Sequence, residues 1–385
     1  MTETRAGDTP TAGAEGPPAA GPPASSRYSV LVGAGEFSEA LARDIGSASR
    51  RIQIQTLSFE GDGAGLWLAD LLLSSRSPDR RLLIDEYSLV KVSDHFVRYS
   101  RGRRDPALRH ELAEMARAVA QLRADGVRVL FTNPLGPLIV RLPARNHKKL
   151  AVVDDVVYLG GINFSDHNFA WHDMMLRVED PELAGFLAAD VDATCRGIDR
   201  RAIGYFEGIQ VHLLDGRTNE AAYDPVLRSI DAAETSIFLE SPYVTYPFLD
   251  RLIEARRRGV EVTLVMPADS NYPAVAGYAA RTATRAGIPL RLIPGMIHLK
   301  AMLIDGRTLV VGSSNLDIVS YRCEQEIVAV VTAPEAVSDF VERVLEPDLA
   351  ASLPAAGSDD AIWRSTFCRL QLLGADLWSL LARSV

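Results

Sequence analysis

The stretch RNHKKLAVVD at residues 145–154 returns as MIHLKAMLID at residues 296–305, and this repetition predicts a fold of two related halves. Each copy contains a histidine, a lysine two positions later and an aspartate after four further residues. Lysine is scarce, because it occurs only at Lys91, Lys148, Lys149 and Lys300. Lysine at both motifs therefore indicates a need for a compact ammonium and not for the planar guanidinium that arginine supplies elsewhere. Two copies of so specific a pattern indicate a duplication and not chance.

The sequence around the two motifs also repeats in the same order. Each half is predicted to begin with a strand after a helix end (49–56 and 234–241), followed by a helix (about 66–73 and 248–258) and a short strand (81–85 and 260–266). A further strand comes next (126–131 and 287–292). The apolar strand of the motif (150–153 and 301–304) and a returning strand (156–159 and 308–311) complete each half. Strands that alternate with helices predict an α/β fold. We expect two duplicated α-β-α sandwich repeats, packed about a pseudo-twofold axis with one active site at their interface.

The composition sets the expected domain limits. Residues 1–27 are rich in Ala, Gly and Pro without an apolar core, which predicts a disordered tail and not a signal peptide. The first repeat is expected at 28–203 and the second at 204–350. The first repeat carries an arginine-rich insertion at about 88–110, which also contains Lys91. This insertion is either a solvated loop that leads into a helix, or a lid that contacts a substrate head group.

The last segment, residues 358–385, is predicted to form an amphipathic helix. Its apolar side chains recur on one helical stripe, made of Trp363, Phe367, Leu370, Leu373, Leu377 and Leu381. Such a stripe either docks on the domain or lies in a membrane interface, and both can hold in part. No apolar run in the chain reaches the ~18 residues needed to span a bilayer.

The overall charge restricts the class of partner. The formal net charge is -9 and the sequence pI is about 5.4, which disfavours nucleic acid as a partner. Three scattered cysteines suit a reducing compartment. We therefore expect a cytoplasmic protein with peripheral contact on the inner face of the cell membrane. The oligomeric state stays open.

The histidine and lysine of each motif suit phosphate chemistry. Residues two apart on a strand project to the same face, so His147 is paired with Lys149 and His298 with Lys300. An ammonium beside each imidazole repels a metal cation and attracts an anion, and we expect no metal or other cofactor. One histidine can attack phosphorus to form a phosphohistidine. The other can protonate the departing alkoxide and then deprotonate an incoming alcohol or water.

Polar residues downstream of each motif complete the predicted site. A glycine-containing segment follows each motif, Gly-Gly-Ile-Asn at 160–163 and Gly-Ser-Ser-Asn at 312–315. Glycine lets the backbone approach a phosphate closely, and the side chains of Asn163, Ser313 and Asn315 can donate hydrogen bonds to it. A carboxylate is wanted beside each imidazole to fix its tautomer, and Asp173 and Glu326 are expected in that role. His95, His110, His167 and His212 are interpreted as surface or packing residues, and His172 as a weak site candidate.

These features together resemble the phospholipase D superfamily, which is named for its paired HKD motifs, and within it the bacterial cardiolipin synthases. The resemblance covers about residues 29–346 and rests on the stretches 145–150, 160–163, 171–173, 241–243 and 312–317. It implies a metal-independent reaction through a phosphatidyl-histidine. His147 would be the nucleophile and His298 the general acid and base, with the reverse assignment left open.

The resemblance also implies roles for the other motif residues. Lys149, Lys300, Asn163 and Asn315 would hold the phosphate, with Ser313 assisting. Asp154 and Asp305 complete the two motifs and are expected to brace turns more than to touch substrate. The chain departs from the family pattern at 319–320 and at Glu324, which puts the acceptor alcohol in doubt.

The expected function is phosphatidyl transfer from phosphatidylglycerol or a similar phospholipid to an alcohol acceptor. A hydrolytic phospholipase D that releases phosphatidic acid is the alternative, because the same site serves either water or an alcohol. A phosphodiesterase acting on nucleic acid is less favoured, since the chain is acidic.

Overall fold

The computed structural model describes residues 27–97, 104–136, 139–355 and 362–384. The tail predicted at 1–27 lies outside these residues except for Arg27, and so do Arg98, Arg101 and Arg103 of the basic insertion. Within the described residues the chain forms two large β-sheets, of seven and nine strands, with α-helices packed against them. The predicted α/β class is confirmed.

The first sheet is built from residues 28–179. In chain order the strands of this half are β1 (Tyr28–Val32), β2 (Arg51–Thr56), β3 (Asp79–Asp85), β4 (Lys91–Val92), β5 (His95–Phe96), β6 (Arg128–Thr132), β7 (Leu150–Val153), β8 (Val156–Gly160) and β9 (Met174–Glu179). Strands β4 and β5 form a separate ribbon inside the insertion. The other seven lie in the order β1-β9-β8-β7-β2-β3-β6.

The second sheet repeats this arrangement. Its strands are β10 (Ala202–Phe206), β11 (Ile209–Asp215), β12 (Ser236–Glu240), β13 (Glu261–Pro267), β14 (Leu290–Ile293), β15 (Ala301–Ile304), β16 (Thr308–Gly312), β17 (Gln325–Val331) and β18 (Leu353–Pro354). They lie in the order β10-β11-β17-β16-β15-β12-β13-β14-β18. The run β9-β8-β7-β2-β3-β6 thus returns as β17-β16-β15-β12-β13-β14. In both runs the last three strands are parallel and the others antiparallel, which confirms the predicted duplication.

The helices connect and cover the strands. They are α1 (Gly33–Ser47), α2 (Gly63–Ser74), α3 (Pro106–Ala124), α4 (Asp166–Phe169), α5 (Pro181–Cys195), α6 (Asn219–Asp231), α7 (Phe248–Arg257), α8 (Pro273–Arg285), α9 (Ile318–Cys323), α10 (Pro334–Phe340), α11 (Glu346–Ala351) and α12 (Ile362–Ser384). A 3₁₀ turn spans Glu86–Leu89 and a π-helical turn spans Val341–Leu345. Helices α3 and α5 each begin with proline after an aspartate whose carboxylate accepts from first-turn amides, which stabilises their starts.

Three apolar clusters hold these layers together. One lies between the first sheet and α1, α2 and α3, and a second lies between the second sheet and α6, α7 and α8. The third combines side chains of both sheets with those of α5 and α10, for example Leu176, Leu187, Ala329 and Phe340. Because burial of apolar area is the main stabilising term, this shared cluster fixes the two halves against each other.

The apolar strands that follow each motif lie at the centre of these layers. Every residue of β7 and β15 is buried, as their uninterrupted apolar sequences predict. Each strand is paired on both sides, with β2 and β8 in the first sheet and with β12 and β16 in the second. The start of each motif strand is therefore a rigid position from which the preceding histidine and lysine can be held.

Candidate active site

The two histidines lie just before their strands and not on them, and the strand bounds agree with the predicted 150–153 and 301–304. Strand β7 begins at Leu150 and β15 at Ala301. The backbone before each strand pairs instead with the other half of the chain. His147 N–H donates to the carbonyl of Gln325 at 2.9 Å, and Gln325 N–H donates to Arg145 at 2.8 Å.

The same crossing occurs at the second motif. His298 N–H donates to the carbonyl of His172 at 2.7 Å, and His172 N–H donates to Met296 at 3.1 Å. Gln325 and His172 each directly precede one of the predicted orienting carboxylates, Glu326 and Asp173. Each motif is thus joined by backbone hydrogen bonds to the segment of the opposite half that carries a carboxylate.

This crossing gives each imidazole a carboxylate from the other half. Nδ1 of His147 lies 2.8 Å from Oε1 of Glu326, and Nδ1 of His298 lies 2.8 Å from Oδ2 of Asp173. All four side chains are buried. In this arrangement Nδ1 carries the proton and donates a hydrogen bond to the carboxylate, so the lone pair lies on Nε2. A nucleophile or base needs this tautomer. The sequence predicted both carboxylates but not this exchange between halves.

Both histidines line one cavity of about 410 Å³. Its wall includes residues of the first half, such as Asn163 and Trp171, and of the second half, such as Asn315. The indole of Trp171 lies 5.2 Å from the ring of His298, measured between centroids. The cavity is therefore a space that two equivalent imidazoles share, as a two-histidine reaction requires.

Burial and nearby charge keep both imidazoles neutral. Burial, with Lys149, lowers the pKa of His147 to about 3. Burial, with Lys300, likewise lowers the pKa of His298 to about 3. A neutral imidazole at physiological pH is ready to attack phosphorus, whereas a protonated one is not. The arrival of a phosphate anion would oppose these shifts and favour protonation of one ring.

The motif lysines lie beside the histidines but deeper than the cavity wall. Lys149 and Lys300 are buried, and each ammonium donates to the carbonyl of the histidine two residues before it. Burial lowers the pKa of Lys149 to about 7 and that of Lys300 to about 8. Lys148 projects the opposite way and binds the Asp190 carboxylate at 2.7 and 2.9 Å. Alternate residues therefore serve the site and the core.

A family model described as cardiolipin synthase, PLD-like domain, matches residues 41–194 and 226–346. The chain belongs to this phospholipase D-like family. The matched residues contain both histidine-lysine motifs and both orienting carboxylates. The family that the sequence resembles is therefore confirmed.

Individual relatives of this phospholipase D-like chain agree with the family model. Cardiolipin synthase A of Pseudomonas aeruginosa is 29% identical over 378 residues, covering 91% of this chain and 72% of that protein. The major cardiolipin synthase of Bacillus subtilis is 24% identical over 342 residues, covering 79% of this chain and 66% of that protein. The crystal structure of phosphatidylserine synthase from Haemophilus influenzae has a TM-score of 0.72 at 13% identity, covering 92% of this chain and 95% of that one. That last likeness supports the fold alone.

The predicted phosphate-binding residues divide into two groups. Asn163 and Asn315 line the cavity, and Oδ1 of Asn315 is buried without a hydrogen-bond partner among the described residues. Ser313 is not among the residues that line the cavity, and its hydroxyl donates to Glu326. Ser313 thus supports the orienting carboxylate, and its expected place at the phosphate needs correction.

Gly161 of the predicted phosphate loop makes room for a neighbouring residue. A Cβ atom added to Gly161 would lie 2.2 Å from Oδ1 of Asp173, far inside van der Waals contact. The absence of a side chain therefore makes room for the carboxylate that holds His298. The expectation that glycine admits a ligand at this position is replaced by this packing requirement.

The motif aspartates lie at the far end of their strands from the cavity. Asp154 accepts hydrogen bonds from the amides of residues 49–51, and Asp305 accepts them from those of residues 234–236. Both residues have positive φ, 49° and 52°, a conformation that Asp tolerates better than most residues. Neither lines the cavity, and each joins two strands through a turn, which is the bracing role that was expected of them.

Sequence reasoning missed an acidic residue at the first histidine. Glu324 lines the cavity, and its Oε2 lies 3.8 Å from Nδ1 of His147. Burial raises the pKa of Glu324 to about 7. Its position two residues before Glu326 was a usable signal, because alternate residues in extended backbone share a face.

Sequence reasoning also missed the wall on the opposite side of the cavity. His167, interpreted as a surface or packing residue, lines the cavity beside Trp171, whereas the candidate His172 binds Asp348 and does not line it. Lys91 of the insertion lines the cavity and lies 3.1 Å from the hydroxyl of Tyr272. This contact places a residue of the insertion on the cavity wall.

Three groups in the described residues bring potential metal ligands within 4.8 Å of one another. They are His147 with Glu324 and Glu326, His172 with Glu240 and Asp348, and Glu60 with Asp62 and Glu111. Only the first lies at a motif histidine. Lys149 and Lys300 place positive charge beside it, since both lower the pKa of His147. This charge opposes a cation and favours an anionic substrate in the phospholipase D-like site.

Proposed function

We propose that this chain is a phosphatidyltransferase of the cardiolipin synthase type, working through a phosphohistidine. The observation that carries the proposal is the reciprocal pairing of His147 with Glu326 and His298 with Asp173 on one shared cavity. Its relatives named cardiolipin synthase support an enzyme that modifies phospholipids. Phosphatidylglycerol, or a similar phospholipid, is the proposed donor.

In the first step Nε2 of His147 attacks the phosphorus of the donor. A phosphorus–nitrogen bond forms while the bond from phosphorus to the head-group oxygen breaks. His298, which becomes protonated on Nε2 when the phosphodiester anion binds, gives that proton to the departing oxygen, so that glycerol leaves as a neutral alcohol when phosphatidylglycerol is the donor. The Glu326 carboxylate, 2.8 Å from Nδ1, stabilises the positive charge that grows on His147.

In the second step an alcohol replaces the departed head group. His298, now neutral, removes the proton of the incoming hydroxyl, and that oxygen attacks phosphorus. The phosphorus–nitrogen bond breaks and His147 returns to its starting state. When the incoming alcohol is the terminal hydroxyl of a second phosphatidylglycerol, the product is cardiolipin. Water in its place gives phosphatidic acid, the hydrolytic outcome.

The charge around the histidines supports a reaction without a metal ion. The phosphorane-like transition state carries negative charge on the non-bridging oxygens. Lys149 and Lys300 supply positive charge behind the two imidazoles, and Asn163 and Asn315 offer amide donors on the cavity wall. These groups can perform the role that a divalent cation performs in other phosphoryl-transfer sites.

The cavity wall also suits a lipid. Beyond the histidines it contains apolar side chains such as Leu142, Val275, Ile318 and Leu372. A site with a polar end and an apolar remainder matches a phosphodiester attached to hydrocarbon. A nuclease would need a basic groove, and the net charge of -9 argues against one.

The test is a product analysis by mass spectrometry. The full chain is incubated with phosphatidylglycerol vesicles, with and without EDTA, and lipids and free glycerol are quantified. We expect cardiolipin and glycerol in equal amounts, unaffected by EDTA, and no product with His147→Ala or His298→Ala. Phosphatidic acid in place of cardiolipin would identify the hydrolase. Absence of any product, or EDTA inhibition reversed by a divalent ion, would contradict the proposed reaction.

A further inference from the structure

Helix α12 exposes a row of leucines. Leu370, Leu373 and Leu377 are between 53% and 63% exposed, although leucine usually prefers the interior. At 100° per residue these three lie within a narrow arc of one helix face, which we call the leucine stripe. The side chains of Trp363 and Phe367, predicted to extend this row, lie outside the described residues. An exposed apolar row of this kind usually marks a contact surface.

The leucine stripe is not the face by which α12 binds the rest of the protein. The opposite face packs on α8 and α9 through buried Leu372 and Ala382. Asp376 on the same side accepts from Arg322 at 2.9 Å. The docked face and the exposed leucines point in opposite directions, so of the two alternatives left open for the stripe, docking on the domain does not hold for Leu370, Leu373 and Leu377. The helix is held in place while its leucines remain available.

The mouth of the proposed substrate cavity lies beside this helix. Leu372, Ala375 and Trp378 of α12 line the cavity. Trp378 is also exposed and donates its indole N–H to the carbonyl of Val140 at 2.8 Å, which fixes the ring at the edge. An indole with one apolar face and one bonded N–H is typical of residues at a membrane surface.

Two other segments contribute exposed aromatic rings to the same cavity. Phe96 belongs to the ribbon of the insertion and Tyr272 precedes α8, and both line the cavity while remaining exposed. Together with Trp378 they form what we call the aromatic rim. Trp378 of the rim directly follows Leu377 of the stripe, so α12 carries exposed apolar residues both outside the cavity and on its wall.

We infer that the leucine stripe and the aromatic rim rest on a phospholipid bilayer, so that a lipid passes from the membrane into the cavity. The inference deepens the proposed function, on which it depends for the identity of the lipid. The presence of exposed apolar residues both outside the cavity and on its wall favours a bilayer over a protein partner. Because the net charge is -9, attachment arises from apolar burial and not from attraction to anionic lipids.

The test measures binding of the full chain to vesicles of neutral phosphatidylcholine by flotation, at low salt and at 0.5 M salt. The double variant Leu373→Glu with Leu377→Glu places charge on the stripe without touching the cavity wall. Tyr205→Glu is the matched control, because Tyr205 is 73% exposed on β10 and does not line the cavity. We expect the wild type and the control to bind at both salt concentrations, and the double variant to bind at least tenfold more weakly.

Three results would overturn the inference. They are failure of the wild type to bind, equal binding by the double variant, and a wild-type dimer in light scattering that the double variant converts to monomer. The last would show that the stripe joins two copies of the chain.

Activity measurements separate this inference from the proposed function. On monomeric short-chain phosphatidylglycerol the double variant should equal the wild type, and on vesicles its rate should fall at least tenfold. Equal rates on vesicles would contradict the inference. Stripe-dependent binding by a chain that turns over neither substrate would support the surface and contradict the phosphatidyltransferase.

Discussion

Nδ1 of His147 lies 2.8 Å from Oε1 of Glu326, a residue 179 positions further along the chain. The reciprocal contact joins His298 to Asp173 across 125 positions. Neither half of the duplication therefore contains a complete histidine-carboxylate pair of its own. The geometry of both imidazoles depends on the apolar cluster that fixes the two sheets together, and damage to that cluster should reduce activity before the chain unfolds.

The first prediction concerns the orienting carboxylates. Glu326→Gln keeps the shape of the side chain but can offer an N–H to the imidazole, which favours the wrong tautomer of His147. We expect kcat to fall by about 10³-fold with little change in lipid binding. Single-turnover kinetics and vesicle binding measure the two quantities separately.

Ser313→Ala is the matched control for this variant. It removes a hydroxyl that donates to the same carboxylate but leaves the carboxylate in contact with His147. We expect it to lower kcat by much less than Glu326→Gln does. Equal losses from the two variants would show that the Glu326 charge is not the important property.

The second prediction identifies the nucleophile. A phosphodiester with a p-nitrophenolate leaving group needs no proton on departure, so His298→Ala should still form the covalent intermediate. The intermediate should then accumulate, because no base activates the acceptor. Mass spectrometry of the digested protein should locate the added phosphatidyl group on His147. Its appearance on His298 in a His147→Ala variant would reverse the two roles.

The third prediction is the pH dependence. Burial lowers the pKa of Lys149 to about 7 and that of Lys300 to about 8, so both lose positive charge as the pH rises through this range. The phosphodiester itself stays anionic, so kcat/KM should decline between about pH 7 and pH 9. On the acid side, the fall of kcat/KM should occur below pH 6.5, the ordinary pKa of histidine, because the pKa of His147 is lowered. A rate that is flat up to pH 9 would contradict a role for these ammonium groups.

The fourth prediction concerns stability. Lys148 and Asp190 form an ion pair that is almost completely buried, and Asp190 also accepts from Gln55 at 3.0 Å. Lys148→Met leaves a buried carboxylate without its cation and should lower the free energy of unfolding by about 3–5 kcal/mol. The double variant with Asp190→Asn removes that charge and should recover part of the loss. Denaturant unfolding measures the free energy of unfolding of both variants. An unchanged free energy of unfolding in Lys148→Met would contradict this prediction.

The fifth prediction separates the motif aspartates from the chemistry. Asp154→Ala removes an acceptor of three backbone amides, those of Ser49, Arg50 and Arg51, and should cost about 1–3 kcal/mol of stability. The variant should keep kcat within a few fold at a temperature where it remains folded. Asp305→Ala should behave in the same way. A loss of about 10³-fold in kcat with unchanged stability would show instead that these residues take part in the reaction.

Much of the site could be predicted because its signals are local. Histidine and lysine two positions apart, an apolar run of four and a following aspartate are all visible within ten residues of sequence. Successive residues of an extended segment point to opposite sides. This alternation explains why Lys148 points away from the cavity and binds Asp190, while His147 and Lys149 point towards the site. Ser313 and Gly161 were misassigned because the residues that they contact, Glu326 and Asp173, lie further along the chain and meet them only in the folded structure.

Apolar periodicity and motif spacing are properties of short segments, and they were enough to predict the duplication, the α/β layers and the two histidine-lysine motifs. Only the tertiary structure decided which carboxylate meets which histidine, which residues form the remaining cavity wall, and which face of the last helix is docked. These depend on contacts between residues more than a hundred positions apart. Such contacts are selected by packing of the whole chain, and no local pattern encodes them.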